Sequence, residues 1–195
     1  MIRVVIFISG RGSNLDAILQ AWQKGVLQGK CHIVGVVSNH AEAGGLAIAK
    51  TAGVPTLVRE STGGKSREEY DSDLLAALTQ WSPNILVLAG FDRILSPVLV
   101  KAFPRRIINI HPADPACFRG LHGYHWAFSQ GLESTQVTVH LVDEGVDTGP
   151  VLATAEVDLR GATNLEEVES RGLEVEHELY PRALARFFTE FQKES

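Results

Sequence analysis

The sequence predicts an α/β protein built on a twisted, mainly parallel sheet with helices on both faces. Three observations carry this expectation. Short β-rich runs alternate with stretches whose apolar residues recur at helical spacing. The first run, residues 2–9, is apolar almost without interruption, the pattern of a strand buried on both faces. No internal repeat, low-complexity tract or linker breaks the rhythm.

The elements follow in order. After a loop at 10–14, Leu15, Ile18, Leu19 and Trp22 form a helical stripe. Residues 33–38 read as a second strand, 46–52 as a helix ending before Gly53, and 55–58 as a third strand. The polar stretch 61–66, which contains Lys65, reads as a flexible surface connection. Residues 66–80 suit a helix with Tyr70, Leu74, Leu75 and Leu78 inward. Residues 85–88 and 107–110 are further strands. Residues 137–142 alternate cleanly and 151–157 less so, on either side of a 143–150 loop. The last stretch, 164–192, is helical.

Composition narrows the function. A chain of 195 residues suits one domain, 1–195, with a sizeable core. A net charge of −5 excludes a general basic surface for nucleic acid, so an anionic ligand must be held by local donors. Cys31 and Cys117 are too few for a disulfide framework, and neither stands in a metal-type pair. Reduced thiols in a cytoplasmic protein are the expectation. The apolar run 4–8 is too short to span a membrane, and the N-terminus lacks a signal-peptide layout. Small-molecule partners are therefore expected, with no nucleic acid and no membrane. The sequence leaves monomer or homodimer open.

Three segments carry candidate chemistry. Gly10-Arg11-Gly12-Ser13-Asn14 lies between the first strand and the first helix. Its glycines allow a tight turn, and free N–H groups at a helix start face an anion. Ser13 or Asn14 could instead simply cap the helix, and the residues leave both readings open. It is neither a phosphate-binding loop with Gly-Lys-Ser/Thr nor a full Gly-x-Gly-x-x-Gly fingerprint, since position 15 is Leu. Asn109-Ile110-His111-Pro112 ends a strand, and alternation puts Asn109 and His111 on one side. An amide beside an imidazole can stabilise an oxyanion, while a polar strand end is the plainer reading. The loop Asp143-Glu144-Gly145-Val146-Asp147-Thr148-Gly149-Pro150 would turn well in any case. Its functional reading sets Asp147 against His111, where a carboxylate favours the charged imidazole. His122 and His125 lack a third ligand at suitable spacing, so a loop or helix-start role is expected and no metal site. His32 and His40 read as surface residues, and His140 as lying under the site.

Taken together the segments resemble the glycinamide ribonucleotide transformylases, folate-dependent formyltransferases of the purine pathway. The resemblance rests on Ile8-Ser9-Gly10-Arg11-Gly12-Ser13-Asn14-Leu15, Val37-Ser38-Asn39, Ser66-Arg67-Glu68-Glu69-Tyr70-Asp71, Leu88-Ala89-Gly90-Phe91 and Arg93-Ile94-Leu95-Ser96-Pro97. It continues through Ile108-Asn109-Ile110-His111-Pro112, Gly120-Leu121-His122, Val139-His140, Asp147, Gly149-Pro150, Glu176-His177 and Tyr180-Pro181. It implies a Rossmann-like formyltransferase fold and formyl transfer from 10-formyltetrahydrofolate, a cosubstrate, to the amine of glycinamide ribonucleotide, without metal.

Roles follow from the resemblance. Gly12, Ser13 and Asn14 would hold the substrate phosphate, and Glu176 the ribose hydroxyls with Leu173, Glu174 and Val175 nearby. Arg67 and Arg93 would meet the folate carboxylates. Asp92, Arg93, Ile94 and Leu95, with Asp143, Glu144, Gly145, Val146 and Asp147, would line the pterin pocket beside Asn109. Asn109, His111 and Asp147 would be the catalytic trio. Two departures put extra carboxylates near that region: Asp92, and Ala113-Asp114-Pro115-Ala116 where the family has Ser-Leu-Leu-Pro. Other readings are a related formyltransferase on another amine, a formyl-folate hydrolase, or a silent folate- or nucleotide-binding module. Hydrolase relatives usually carry an N-terminal regulatory domain, whereas this sequence opens on its first strand. Methionyl-tRNA formyltransferase relatives carry a C-terminal domain and basic surfaces, neither of which is expected here.

Overall fold

The computed structural model describes residues 1–60 and 64–194; of the expected 61–66 connection, residues 61–63 lie outside the described residues. Strands β1 (Ile2–Ile8), β2 (Cys31–Ser38), β3 (Thr56–Val58), β4 (Ile85–Leu88), β5 (Ile107–His111), β6 (Ser134–Leu141) and β7 (Val151–Asp158) form one sheet. Its order is β3-β2-β1-β4-β5-β6-β7. Pairing is parallel from β3 to β5 and antiparallel at β5–β6 and β6–β7, so β6 alone runs against the rest. The order reverses between β1 and β4, the switch point at which open parallel sheets leave a crevice.

Helices α1 (Ser13–Lys24), α2 (Gly44–Thr51), α3 (Arg67–Leu78), α4 (Pro97–Ala102), α5 (Gly123–Ser129) and α6 (Leu165–Glu194) cover the two faces. The unbroken apolar run of β1 is explained by two cores. Val4, Ile6 and Ile8 pack with residues of α1, α2, α5 and α6, while Val5 and Phe7 pack with residues of α3 and α4. Each such side chain contributes roughly 1.5–3 kcal/mol when fully buried. The helical stripe of α1 points the same way: Leu15, Ile18 and Leu19 are buried and Trp22 packs against that core.

Some boundaries differ from the sequence reading, each for a local reason. The expected helix at 66–80 resolves into α3 and a short 3-10 turn over Thr79–Trp81. Ser66 stands before α3 in a capping box, its hydroxyl accepting from the Glu69 amide and its amide donating to the Glu69 carboxylate. The short helices α4 and α5, of six and seven residues, escaped notice because two turns are too few to show a period. At α1 neither Ser13 nor Asn14 caps the helix. Gly12 occupies that position with φ 85°, and a Cβ there would lie 2.5 Å from the Gly45 Cα of α2. Left-handed geometry and a neighbouring backbone both demand glycine.

Candidate active site

A cleft of about 560 Å³ opens beyond the C-terminal ends of β1, β4 and β5. The 10–14 turn, residues 88–95, residues 109–112, parts of the 120–122 and 142–147 loops, and Leu173 and Glu176 of α6 line it. It therefore sits at the switch point the sheet order creates.

One end is built by the start of α1. The first helical bond runs from the Asp16 amide to the Gly12 carbonyl at 2.9 Å. The amides of Ser13, Asn14 and Leu15 therefore have no acceptor within the helix, and Ser13 and Asn14 line the cleft at the positive end of its dipole. A helix start of this kind can hold an anion through backbone alone, in a protein whose net charge is −5. Arg11, also on the cleft wall, adds a full positive charge there. The Asn14 side chain, freed from capping, donates instead to the Glu176 carboxylate at 2.5 Å.

The middle is polar and buried. β5 carries Asn109 and His111 onto one side, and the 143–147 loop folds back over the sheet to bring Asp147 to His111 and His140. His111 Nδ1 lies 3.5 Å from Asp147 Oδ2, and His111 Nε2 donates to the Phe118 carbonyl at 2.9 Å. Both ring nitrogens thus face oxygen acceptors. His140 sits below, as the alternation of β6 suggested, with Nδ1 donating to the Leu141 carbonyl and Nε2 3.3 Å from Asp147 Oδ1. The Asn109 amide is 3.4 Å from the same Nε2. Burial works to raise the Asp147 carboxyl. The His140 hydrogen bond, the Gly120 amide at 2.8 Å and the His111 and His140 charges outweigh it, leaving Asp147 below the ordinary carboxylate range. Asp147 holds a left-handed backbone, φ 51°, which aspartate tolerates better than most residues.

The other end is apolar at its mouth. Ile94, Leu121 and Val146 line the cleft yet are 53%, 59% and 39% exposed, a set suited to a flat aromatic ligand. The Arg93 guanidinium lies 4.0 Å from the centre of the Tyr70 ring, which fixes a cation at that rim. The two departures in sequence prove to be internally satisfied. Asp92 accepts from Ser9 and Asn39 and pairs with exposed His40 at 3.0 Å. Asp114 accepts from the Ala116 amide and so closes its own turn.

Most expected site residues converge on this cleft: Gly12, Ser13, Asn14, 92–95, Asn109, His111, Asp143, 145–147, Leu173 and Glu176. Four stand off it. Arg67 is exposed at the start of α3, Glu144 pairs with Lys101 at 3.5 Å, Glu174 is exposed, and Val175 packs on the core. The sequence reading gave no cleft role to Arg11, whose place before a helix start was the available signal. His122 takes the helix-start role expected of it, preceding α5 with φ 69°, and also lines the cleft. Among the described residues no group of three or more His, Cys, Asp or Glu is placed to hold a metal ion, and no helix is long and apolar enough to cross a membrane.

The sequence profile described as formyl transferase matches residues 2–184, and the chain belongs to the formyl transferase family. Among its relatives, phosphoribosylglycinamide formyltransferase of Escherichia coli (strain K12) is 36% identical over 94% of this chain and 86% of its own length. A solved phosphoribosylglycinamide formyltransferase from Brucella melitensis is 43% identical with a TM-score of 0.87, covering 95% of each chain. Glycinamide ribonucleotide transformylase 1 from Symbiobacterium toebii superposes with a TM-score of 0.92 at 35% identity, over 97% of this chain and 89% of its own.

Proposed function

We propose that this protein is a phosphoribosylglycinamide formyltransferase of purine biosynthesis, a single 1–195 formyltransferase domain acting in the cytoplasm. It takes the formyl group from 10-formyltetrahydrofolate and gives it to the amine of glycinamide ribonucleotide. The observation that carries this reading is the buried Asn109–His111–Asp147 set, placed between a backbone anion site and an apolar mouth. The anion site suits the phosphate and the apolar mouth suits the pterin, which brings amine and formyl carbon together over the trio.

In this reading the amine nitrogen attacks the formyl carbon and the carbonyl π electrons move onto oxygen. Asn109 and the His111 Nδ1–H donate to that oxyanion. The Phe118 carbonyl holds Nε2 and fixes the ring, and the loose 3.5 Å contact leaves Nδ1 free to reach substrate. The former amine proton passes through Asp147, or a water it holds, to the folate nitrogen as the carbon–nitrogen bond breaks. Products are the N-formyl ribonucleotide and tetrahydrofolate, with no net proton change. Arg93 serves the folate carboxylates at the rim. Asp92, Leu95, Asp143 and Gly145 form the pterin wall, with Ile94 and Val146 at its mouth.

Donor consumption with and without glycinamide ribonucleotide tests the reading. Tetrahydrofolate should form only when the acceptor is present. Release of formate at the same rate without acceptor would make the protein a hydrolase, and no consumption in either case would make it a binding module.

A further inference from the structure

Glu176 is 5% exposed, and both of its oxygens are engaged. Oε2 accepts from Asn14 Nδ2 and Oε1 from the Tyr124 hydroxyl, each at 2.5 Å. Tyr124, on α5, does not touch the cleft. It reaches Glu176 because position 172 of α6 is glycine: a Cβ there would fall 2.1 Å from Tyr124 Cζ and 2.4 Å from its hydroxyl. Burial, then the nearby Glu176 charge, raises the phenol far above its ordinary value, so it stays a donor at every physiological pH.

Asn14 supplies a second, independent observation. It is 7% exposed, and its Oδ1 is buried with no hydrogen-bond partner. The Asn14 NH₂ is taken up by Glu176, which leaves Oδ1 over. Orphaned buried acceptors are rare, and a donor brought by a ligand accounts for one beside a binding cleft. The neighbouring amides of the same turn select an anion. A ligand that presents an anionic group and hydroxyl donors a few bonds apart is a sugar phosphate.

We propose that Tyr124 is a positioning residue for sugar recognition. Its phenol, admitted by Gly172, locks the Glu176 carboxylate and the Asn14 amide as paired acceptors for the vicinal hydroxyls of the ribose. Each Glu176 oxygen keeps a lone pair for the sugar while the protein donors hold its rotamer. This deepens the function proposed above and rests on it for the identity of the substrate.

The test compares glycinamide ribonucleotide with its 2′-deoxy analogue in wild type, Tyr124→Phe and Gly172→Ala. Tyr124→Phe keeps the ring and removes the donor; Gly172→Ala keeps the donor and displaces it. Both should raise KM for the ribonucleotide roughly tenfold, as loss of a hydrogen bond to a charged group does. The deoxy analogue should be affected far less, with kcat and the folate KM within about twofold. Calorimetric titration with ribose 5-phosphate and 2-deoxyribose 5-phosphate gives a readout independent of turnover. Wild type should prefer the ribose compound, and Tyr124→Phe should lose that preference. Wild type without formyl transfer but with this preference would overturn the function and keep the inference. An unchanged ribose preference in Tyr124→Phe, or equal effects on both sugars, would overturn the inference whatever the turnover shows. Should either variant fail to fold, the other decides the matter; should both fail, equal binding of the two sugar phosphates by wild type overturns the inference and a ribose preference supports it.

Discussion

His111 lies between two acceptors, and in the proposed mechanism that placement determines what its removal does. There the ring meets charge that grows mainly in the transition state, so His111→Ala should lower kcat about a hundredfold or more with KM for both substrates little changed. Steady-state kinetics check this, and a proportionate rise in KM would assign the ring to ground-state binding. Asp147 has a depressed carboxyl, so the sign of its linkage is fixed. The carboxylate stabilises the fold above its ordinary titration range, near pH 4, and that contribution is lost as pH falls through the lower folded value. Asp147→Asn should melt lower than wild type at pH 7, and the gap should begin to narrow below about pH 5 and go on narrowing as pH falls through the lowered folded value. A gap that is constant across that range would remove the His111 and His140 contacts as its cause. That Asn109 and His111 share a strand side was legible from alternation, and the contact of Asp147 with His111 was one of two readings of a polar loop. Tyr124 was not legible, since its partner Glu176 is 52 residues away and its seat, Gly172, reads as an ordinary helix-weakening glycine.

The turn between β1 and α1 joins two demands that the sequence shows as one motif. Its glycines look like a device for approaching a ligand, but the structure divides the labour. Gly12 is needed because of its positive φ and because Gly45 of α2 packs against it, whereas Ser13 and Asn14 beyond it line the cleft. Gly12→Ala should therefore destabilise the protein by about 1–3 kcal/mol through backbone strain and the α2 contact, read as a lower denaturation midpoint. A variant as stable as wild type, with only the phosphate-bearing substrate affected, would show that α2 yields easily and that the position serves the ligand. Strands were the most legible elements, since β1, β2, β4 and β5 are apolar runs bounded by turns. The loop after β6 was placed in sequence, and one reading set its Asp147 against His111, but the reversed direction of β6 was not read because only tertiary pairing records it.

Across the molecule, α6 ties the sheet to the site. Tyr180 is fully buried, and its hydroxyl lies 2.9 Å from the Leu88 carbonyl of β4 and 3.1 Å from the Ile108 carbonyl of β5. It bolts the two strands together directly behind Asn109. Tyr180→Phe leaves those carbonyls without that donor and should cost about 1–3 kcal/mol in chemical denaturation, with activity falling by less than in His111→Ala. A larger loss of kcat than of stability would show that the strand ends, not only the side chains, set the site geometry. The two-faced core was readable from composition and periodicity alone. The convergence of turn, strand end, loop and α6 was not, because those segments are far apart in the chain, Asn14 and Glu176 by 162 residues. The central claim is that this cleft moves a formyl group onto glycinamide ribonucleotide by way of His111. Mass spectrometry of the acceptor after incubation with isotopically labelled 10-formyltetrahydrofolate tests it most directly. The account predicts labelled N-formyl ribonucleotide with wild type and at most about one hundredth of its rate with folded His111→Ala. Unlabelled acceptor with wild type, or equal labelling by both proteins, would contradict it.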